Sequence, residues 1–161
     1  MTSTSSDALT GPVIDPEIGP VILAYDGTDL AAAAIEQAGD QLATPRDAVV
    51  VCVWQPADVG FTPSTERHID ADRAADVQLA AEETAAYGAT LAEKAGFTAR
   101  SVAVESAPTW RGIVRAAEDE GASLIVIGTH RRGGMVGHLA GNVASAVVAH
   151  SSVSVLVVHH S

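Results

Sequence analysis

Two kinds of apolar pattern alternate along the chain. The first is a short unbroken run: Val21-Ile22-Leu23-Ala24 closing at Tyr25, the valine-rich stretch from Ala48 to Trp54, Leu124-Ile125-Val126-Ile127, and Val153 to Val158. Such runs predict strands covered on both faces, as in parallel sheets. Thr98 to Val104 alternates more weakly and predicts one further strand. The second pattern has helical spacing. Ala31, Ala34, Ile35, Ala38 and Leu42 predict a first helix, with Thr28 or Asp29 as N-cap and Thr44-Pro45 as its stop. A long helix is expected from about Ile69 to Ala95, with Gly96 as C-cap and an inner face of Val77, Ala80, Ala81, Thr84, Gly88, Leu91 and Ala95. Pro108 opens a third helix at its first position, where a missing N–H costs nothing. Trp110, Ile113, Val114 and Ala117 face inward on it and Gly121 ends it, and a short fourth helix starts near Asn142.

Strands alternating one by one with helices predict an α/β fold: a doubly wound, five-stranded parallel sheet with helices on both faces, Rossmann-like in plan. In such sheets ligands bind beyond the carboxyl ends of the strands, at the point where the strand order reverses. Residues 1–19 are rich in Ser and Thr and broken by Pro12, Pro16 and Gly19-Pro20. They are expected to form a flexible leader, with residues 20–161 as one domain and no internal repeat.

Composition narrows the class. Of 161 residues, 47% are hydrophobic and 18% charged, the balance of a globular chain. Only six residues are aromatic, so the core must be built from Ala, Val, Leu and Ile. No apolar run reaches transmembrane length, and the N-terminal stretch lacks the basic and apolar regions of a signal peptide. Cys52 is the single cysteine, which leaves no internal disulfide and fits a reducing, cytoplasmic setting. A formal net charge of −11 opposes non-specific binding to nucleic acid or an anionic membrane.

Against that acidic background the stretch after the fourth strand stands out. It holds Gly128, Gly133, Gly134, Gly137 and Gly141, with Arg131 and Arg132 among them, and leads into a helix N-terminus. Glycines admit a close ligand, and a helix start favours an anion, so a phosphate-bearing ligand is one reading and a glycine-rich surface loop the other. Rival chemistries lack their residues. There is no G-x-x-x-x-G-K-[S/T] loop and no G-x-G-x-x-G after the first strand. An aspartate closing the third strand and a lysine after the fifth, which a response-regulator receiver needs, are missing. The six histidines show no metal-ligand spacing, and His159 and His160, being adjacent, point to opposite faces. Ser106, Ser145 and Ser151 have no evident His/Asp arrangement, so no catalytic residue is assigned.

Asp26-Gly27-Thr28 after the first strand, Ser106-Ala107-Pro108 at the third helix and the closing strand–loop–helix–strand unit resemble the universal stress protein family over about residues 20–158. ATP-binding members carry G-x2-G-x9-G-[S/T] in the loop. Here Gly128 and Gly141 hold the first and third positions, while Arg131 and Asn142 occupy the second and fourth. The resemblance implies that Asp26, Gly27 and the backbone near Val53 hold the adenine side. It implies that Gly128, Arg131, Arg132, Gly141 and Asn142 hold ribose and phosphates. The expectation is a cytoplasmic, nucleotide-binding stress or regulatory protein without a dedicated catalytic apparatus, with ATP bound less tightly than by the full motif. A dimeric interaction protein without nucleotide, or a slow ATPase, are the alternatives. The last strand is apolar on both faces and is expected at a sheet edge, where it predicts a homodimer; the resemblance implies the same edge.

Overall fold

The computed structural model describes residues 18–55, 67–130 and 143–160. In chain order the elements are β1 (Val21–Ala24), α1 (Asp29–Gln41), β2 (Asp47–Trp54), α2 (Arg67–Lys94), β3 (Thr98–Glu105), α3 (Thr109–Asp119), β4 (Leu124–His130), α4 (Val143–His150) and β5 (Ser154–His160). All pairings are parallel and the strand order is β3-β2-β1-β4-β5. The first strand made is therefore the central one, and the order reverses between β1 and β4. This is the doubly wound sheet expected from the alternation of runs and periods, with β5 at an edge. Among the described residues no helix is long and apolar enough to cross a membrane.

Alternation along the strands divides the core in two. On one face Val21, Leu23, Val50 and Val126 meet Ala31, Ala34, Ile35 and Ala38 of α1 and Ala92 of α2. On the other, Ile22, Val49, Val51 and Ile125 meet Ile113, Val114 and Ala117 of α3 and Val147 of α4. Ile22, Leu23, Ile35 and Ile125 are among the largest side chains removed almost wholly from water. Each contributes roughly 1.5–3 kcal/mol relative to exposure. With so few aromatics the layers close by small residues. A Cβ on Gly88 would lie 2.6 Å from Tyr25 Cδ1 and 2.8 Å from Val50 Cγ1, so α2 rests almost directly on β1 and β2.

Some element ends and one helix face differ from the sequence expectation, and β5 runs from Ser154 to His160 rather than from Val153 to Val158. β4 does not stop at Ile127 but continues through Gly128 to His130. Gly128 is used inside the strand, where a neighbouring backbone comes close, rather than as the first loop residue. On α2 Ala80 is exposed, whereas Ala85 and Ala92 are buried. In a helix this rich in alanine, most of the apolar stripe is too small to fix its angle. Pro108 stands at the N-cap of α3, one place before the first helical residue.

α2 also outruns the sheet. Ala81 and Ala85 pack with Cys52 and Trp54 at the carboxyl end of β2, and none of Ala71–Ala80 is buried. The segment from Arg67 to Ala80 therefore extends about 21 Å past the strand ends, at 1.5 Å per residue. At the opposite, amino end Ser123 ties three segments together. Its Oγ donates to the Gly19 carbonyl (2.7 Å) and accepts from Arg46 Nη2 (2.6 Å), and its amide donates to the Pro20 carbonyl (3.0 Å).

Candidate functional site

β1 is the shortest strand and its neighbours run past it. Val21–Ala24 pair with Ala48–Val51, and β2 then continues through Cys52, Val53 and Trp54 with only β3 beside it. On the other side β4 leaves β1 after Val126 and continues through Gly128, Thr129 and His130 with only β5 beside it. The result is a notch at the point where strand order reverses. It is about 10 Å across, twice the interstrand spacing, and the chain turns out of the sheet at its floor.

The floor is Tyr25-Asp26-Gly27-Thr28. Tyr25 still belongs to the sheet, its amide donating to the Val51 carbonyl at 3.0 Å. Gly27 has φ +84°, a conformation that L side chains rarely adopt. A Cβ there would meet only Thr84 Cγ2, at 3.4 Å, so the backbone angle and not the available space requires glycine. Asp26 Oδ1 accepts from the Thr28 amide (3.1 Å) and from the Thr28 hydroxyl (2.6 Å). The same hydroxyl accepts from the Ala31 amide at 3.2 Å and caps α1. Of the two N-cap candidates, Thr28 holds the position, and Asp26 orients it. Asp29 lies in the first turn of α1.

One wall is the end of β2. Backbone groups alternate sides along a strand. Val51 directs its carbonyl to β1 and Trp54 directs its own to the Ser106 amide on the β3 side. By that alternation Val53, two residues after Val51, has its N–H and C=O on the notch side. Its side chain packs elsewhere, against α3, where a Cβ on Gly112 would lie 2.9 Å from Val53 Cγ1. Val53 thus offers the notch its main chain.

The other wall is β4. A Cβ on Gly128 would lie 3.0 Å from the Leu30 carbonyl oxygen and 3.1 Å from Leu30 Cγ, so glycine lets the start of α1 lean on this strand. Thr129 next to it is buried. Asp26, Gly27, Val53 and Gly128 accordingly converge on one notch; Arg131, Arg132, Gly141 and Asn142 lie outside the described residues. Sequence reading did not single out Leu30 as a site residue, because a residue on the inner side of a helix start looks like any core position.

Two titratable groups beside the notch, the Tyr25 phenol and the Cys52 thiol, are held in their neutral forms. Burial, and then the charges of Tyr87, Asp26, Asp29 and Cys52, push the Tyr25 phenol above its usual range. Burial, and then Asp26, push the Cys52 thiol up as well. A thiol so placed is no activated nucleophile. Among the described residues no group of three or more His, Cys, Asp or Glu side chains is arranged to hold a metal ion. An open depression of 310 Å³ lies at the amino ends of β2 and β3, lined by Pro20, Asp47, Val49, Thr98 and Arg100. It is at the wrong end of the sheet for the ligands of this architecture.

The model of the universal stress protein family matches residues 17–159. A hypothetical protein solved as a test case for assigning biochemical function from structure is 20% identical, with a TM-score of 0.70 over 89% of this chain and 96% of that one. A universal stress protein in complex with cAMP is 23% identical, with a TM-score of 0.59 over 89% and 98%. The universal stress protein from Archaeoglobus fulgidus in complex with dAMP is 19% identical, with a TM-score of 0.53 over 86% and 96%. These likenesses show the shared fold. No curated protein sequence matches the chain.

Proposed function

The chain belongs to the universal stress protein family, and from that premise we propose that it is a cytoplasmic, nucleotide-binding regulatory protein of the stress response, with ATP as its ligand. The observation that carries this reading is the notch itself, with the Val53 main chain on one side and the Asp26-Gly27 turn at its floor. Main-chain N–H and C=O groups side by side suit the edge of a purine. The floor suits hydroxyl and amino donors better than phosphate, since Asp26 and Asp29 sit there and Thr28 already caps α1. The phosphates then belong on the β4–α4 side, where Arg131 and Arg132 follow His130 in the sequence. The cAMP and dAMP complexes of similarly folded proteins support an adenine nucleotide as the ligand class.

The direct test is to purify the protein natively, denature it and look for released nucleotide by mass spectrometry, followed by calorimetry with ATP, AMP and cAMP. ATP binding is expected, weaker than the full motif allows. Arg131→Gly with Asn142→Ser is expected to tighten it tenfold or more, because the change restores the glycine and the hydroxyl donor of the full motif. An unchanged affinity shows that those two positions do not limit the pocket. No binding of any nucleotide by parent or variant overturns the reading in favour of a dimeric interaction protein. No general base is assigned, so hydrolysis is not part of the proposal.

The proposal includes a homodimer through β5. The two sheet edges differ in chemistry. β3 carries Arg100, Ser101 and Glu105, all exposed, which blunt an edge. β5 carries Val155, Leu156 and Val157, each half-buried, and the buried Val158, with no charge among them to blunt its outer border.

A further inference from the structure

α2 has no buried residue between Ala71 and Ala80, and its outward face, which continues onto the sheet-packed half, is not the face of a fully solvated helix. Leu79, Glu83 and Tyr87 stand four residues apart and so share one side. Leu79 is 55% exposed and Tyr87 61%, two of the large apolar side chains that the fold leaves in water. Exposed Asp72, Asp76, Glu82 and Glu83 surround them, against one cation, Arg73, between residues 71 and 87. We propose that this face of α2 is a docking surface for a basic amphipathic helix of a partner protein. The inference goes beyond the nucleotide reading and does not depend on the notch being filled.

Three physical points favour that occupant. A helical segment of this length without burial is marginal by itself, so covering it adds stability to the segment and affinity to the complex. Leu79 and Tyr87 lie about 12 Å apart along the axis, the spacing at which an amphipathic helix presents anchors two turns apart. The acidic border sets the sign of the partner: lysine or arginine flanking those anchors is steered in, and an acidic surface is repelled. A second copy, itself at −11, is disfavoured on the same ground.

The test uses the full chain and a fluorescein-labelled peptide of about five helical turns, made only of leucine and lysine with the leucines on one side. The control peptide has the same composition with its leucines scattered. Saturable binding is expected, weakened by added salt, and weakened tenfold or more by Leu79→Ser with Tyr87→Ser, which leaves every charge in place. Amide exchange over residues 67–80 is expected to slow on binding. The replaced residues are exposed, so the thermal midpoint of the variant should match the parent, and Asp76→Lys with Glu83→Lys gives a second, charge-based loss. Equal binding by the serine variant, or equally tight binding of the scattered peptide, overturns the proposal. So does self-association in sedimentation that the serine variant abolishes, which assigns the face to a second copy. A gain in peptide affinity on Arg131→Ala with Arg132→Ala overturns it too, because the face is then covered by the chain itself.

Discussion

The indole of Trp110 lies flat against the imidazole of His150, with ring centroids 4.2 Å apart and planes 16° from parallel. The Arg111 guanidinium sits 5.5 Å from the centre of the same indole. The stack joins the first turn of α3 to the last turn of α4. His150→Ala is expected to lower the unfolding free energy by about 1 kcal/mol, and a double-mutant cycle with Trp110→Leu to return a coupling of roughly 0.5–1.5 kcal/mol. Urea titration measures both, and additive losses show that the contact contributes nothing of its own.

Gly128 can be tested against the helix it touches. Gly128→Ala places a methyl group against the Leu30 carbonyl and side chain, and should destabilise by about 1–3 kcal/mol. Adding Leu30→Ala relieves the side-chain contact but not the carbonyl, so only part of the loss should return. Full recovery in denaturant unfolding contradicts the backbone clash.

Tyr25 and Cys52 predict an alkaline weakness. Both groups have folded-state pKa values raised above the usual range, chiefly by burial. The unfolded chain therefore releases these protons first as pH rises. The stability they support is complete below the ordinary thiol and phenol ranges, and it is lost as pH climbs through the raised values. Urea midpoints should fall on that alkaline side, and Tyr25→Phe and Cys52→Ala should each flatten the fall. Asp26→Asn keeps an acceptor for Thr28 but removes the charge, so Cys52 should alkylate at a lower pH in that variant. An unchanged alkylation profile discards the Asp26 influence.

The β5 edge makes a prediction about assembly. Val155→Pro removes a donor from the strand and should yield monomer or insoluble protein, read by sedimentation. A dimer that survives the change must be held elsewhere.

At the amino end, removal of residues 1–17 should shift the thermal midpoint by a few degrees at most, in line with the small cost of ordinary surface changes. Ser123→Ala should cost more, about 1–3 kcal/mol, because the Gly19 carbonyl and the Arg46 guanidinium both lose a partner. Arg46 Nε is already buried without one. A truncation that hurts more than Ser123→Ala reverses this ranking.

The fold was legible where burial is uniform. Val49, Val50 and Val51 are buried on both faces of the sheet, and an unbroken apolar run is the form such a strand takes in sequence. Legibility failed where small residues act by closeness. Gly128 reads as punctuation yet serves inside a strand, and Ala80 and Ala85 are indistinguishable until the helix angle is known. Resemblance singled out Asp26 and Gly27 as candidate site residues, and the structure gives each a local part: one residue orients the cap, the other takes φ +84°. The Ser123–Arg46 junction left no trace, because polar residues in connections follow no period.

The central place of β1 also bears on how the chain is made. Val21 pairs with Ala48, 27 positions later, and with Leu124, 103 positions later. At roughly 5–20 residues per second of translation, one side of β1 finds its partner some 4–15 s before the other. During that interval an emerging chain can close a three-stranded half, β1 to β3, whose apolar inner border is open. That border offers any neighbouring nascent chain the same pairing that β4 later makes. Chaperone demand should therefore concentrate on products stalled before residue 124, and a circular permutation that places β4 and β5 ahead of β1 should shorten the exposure.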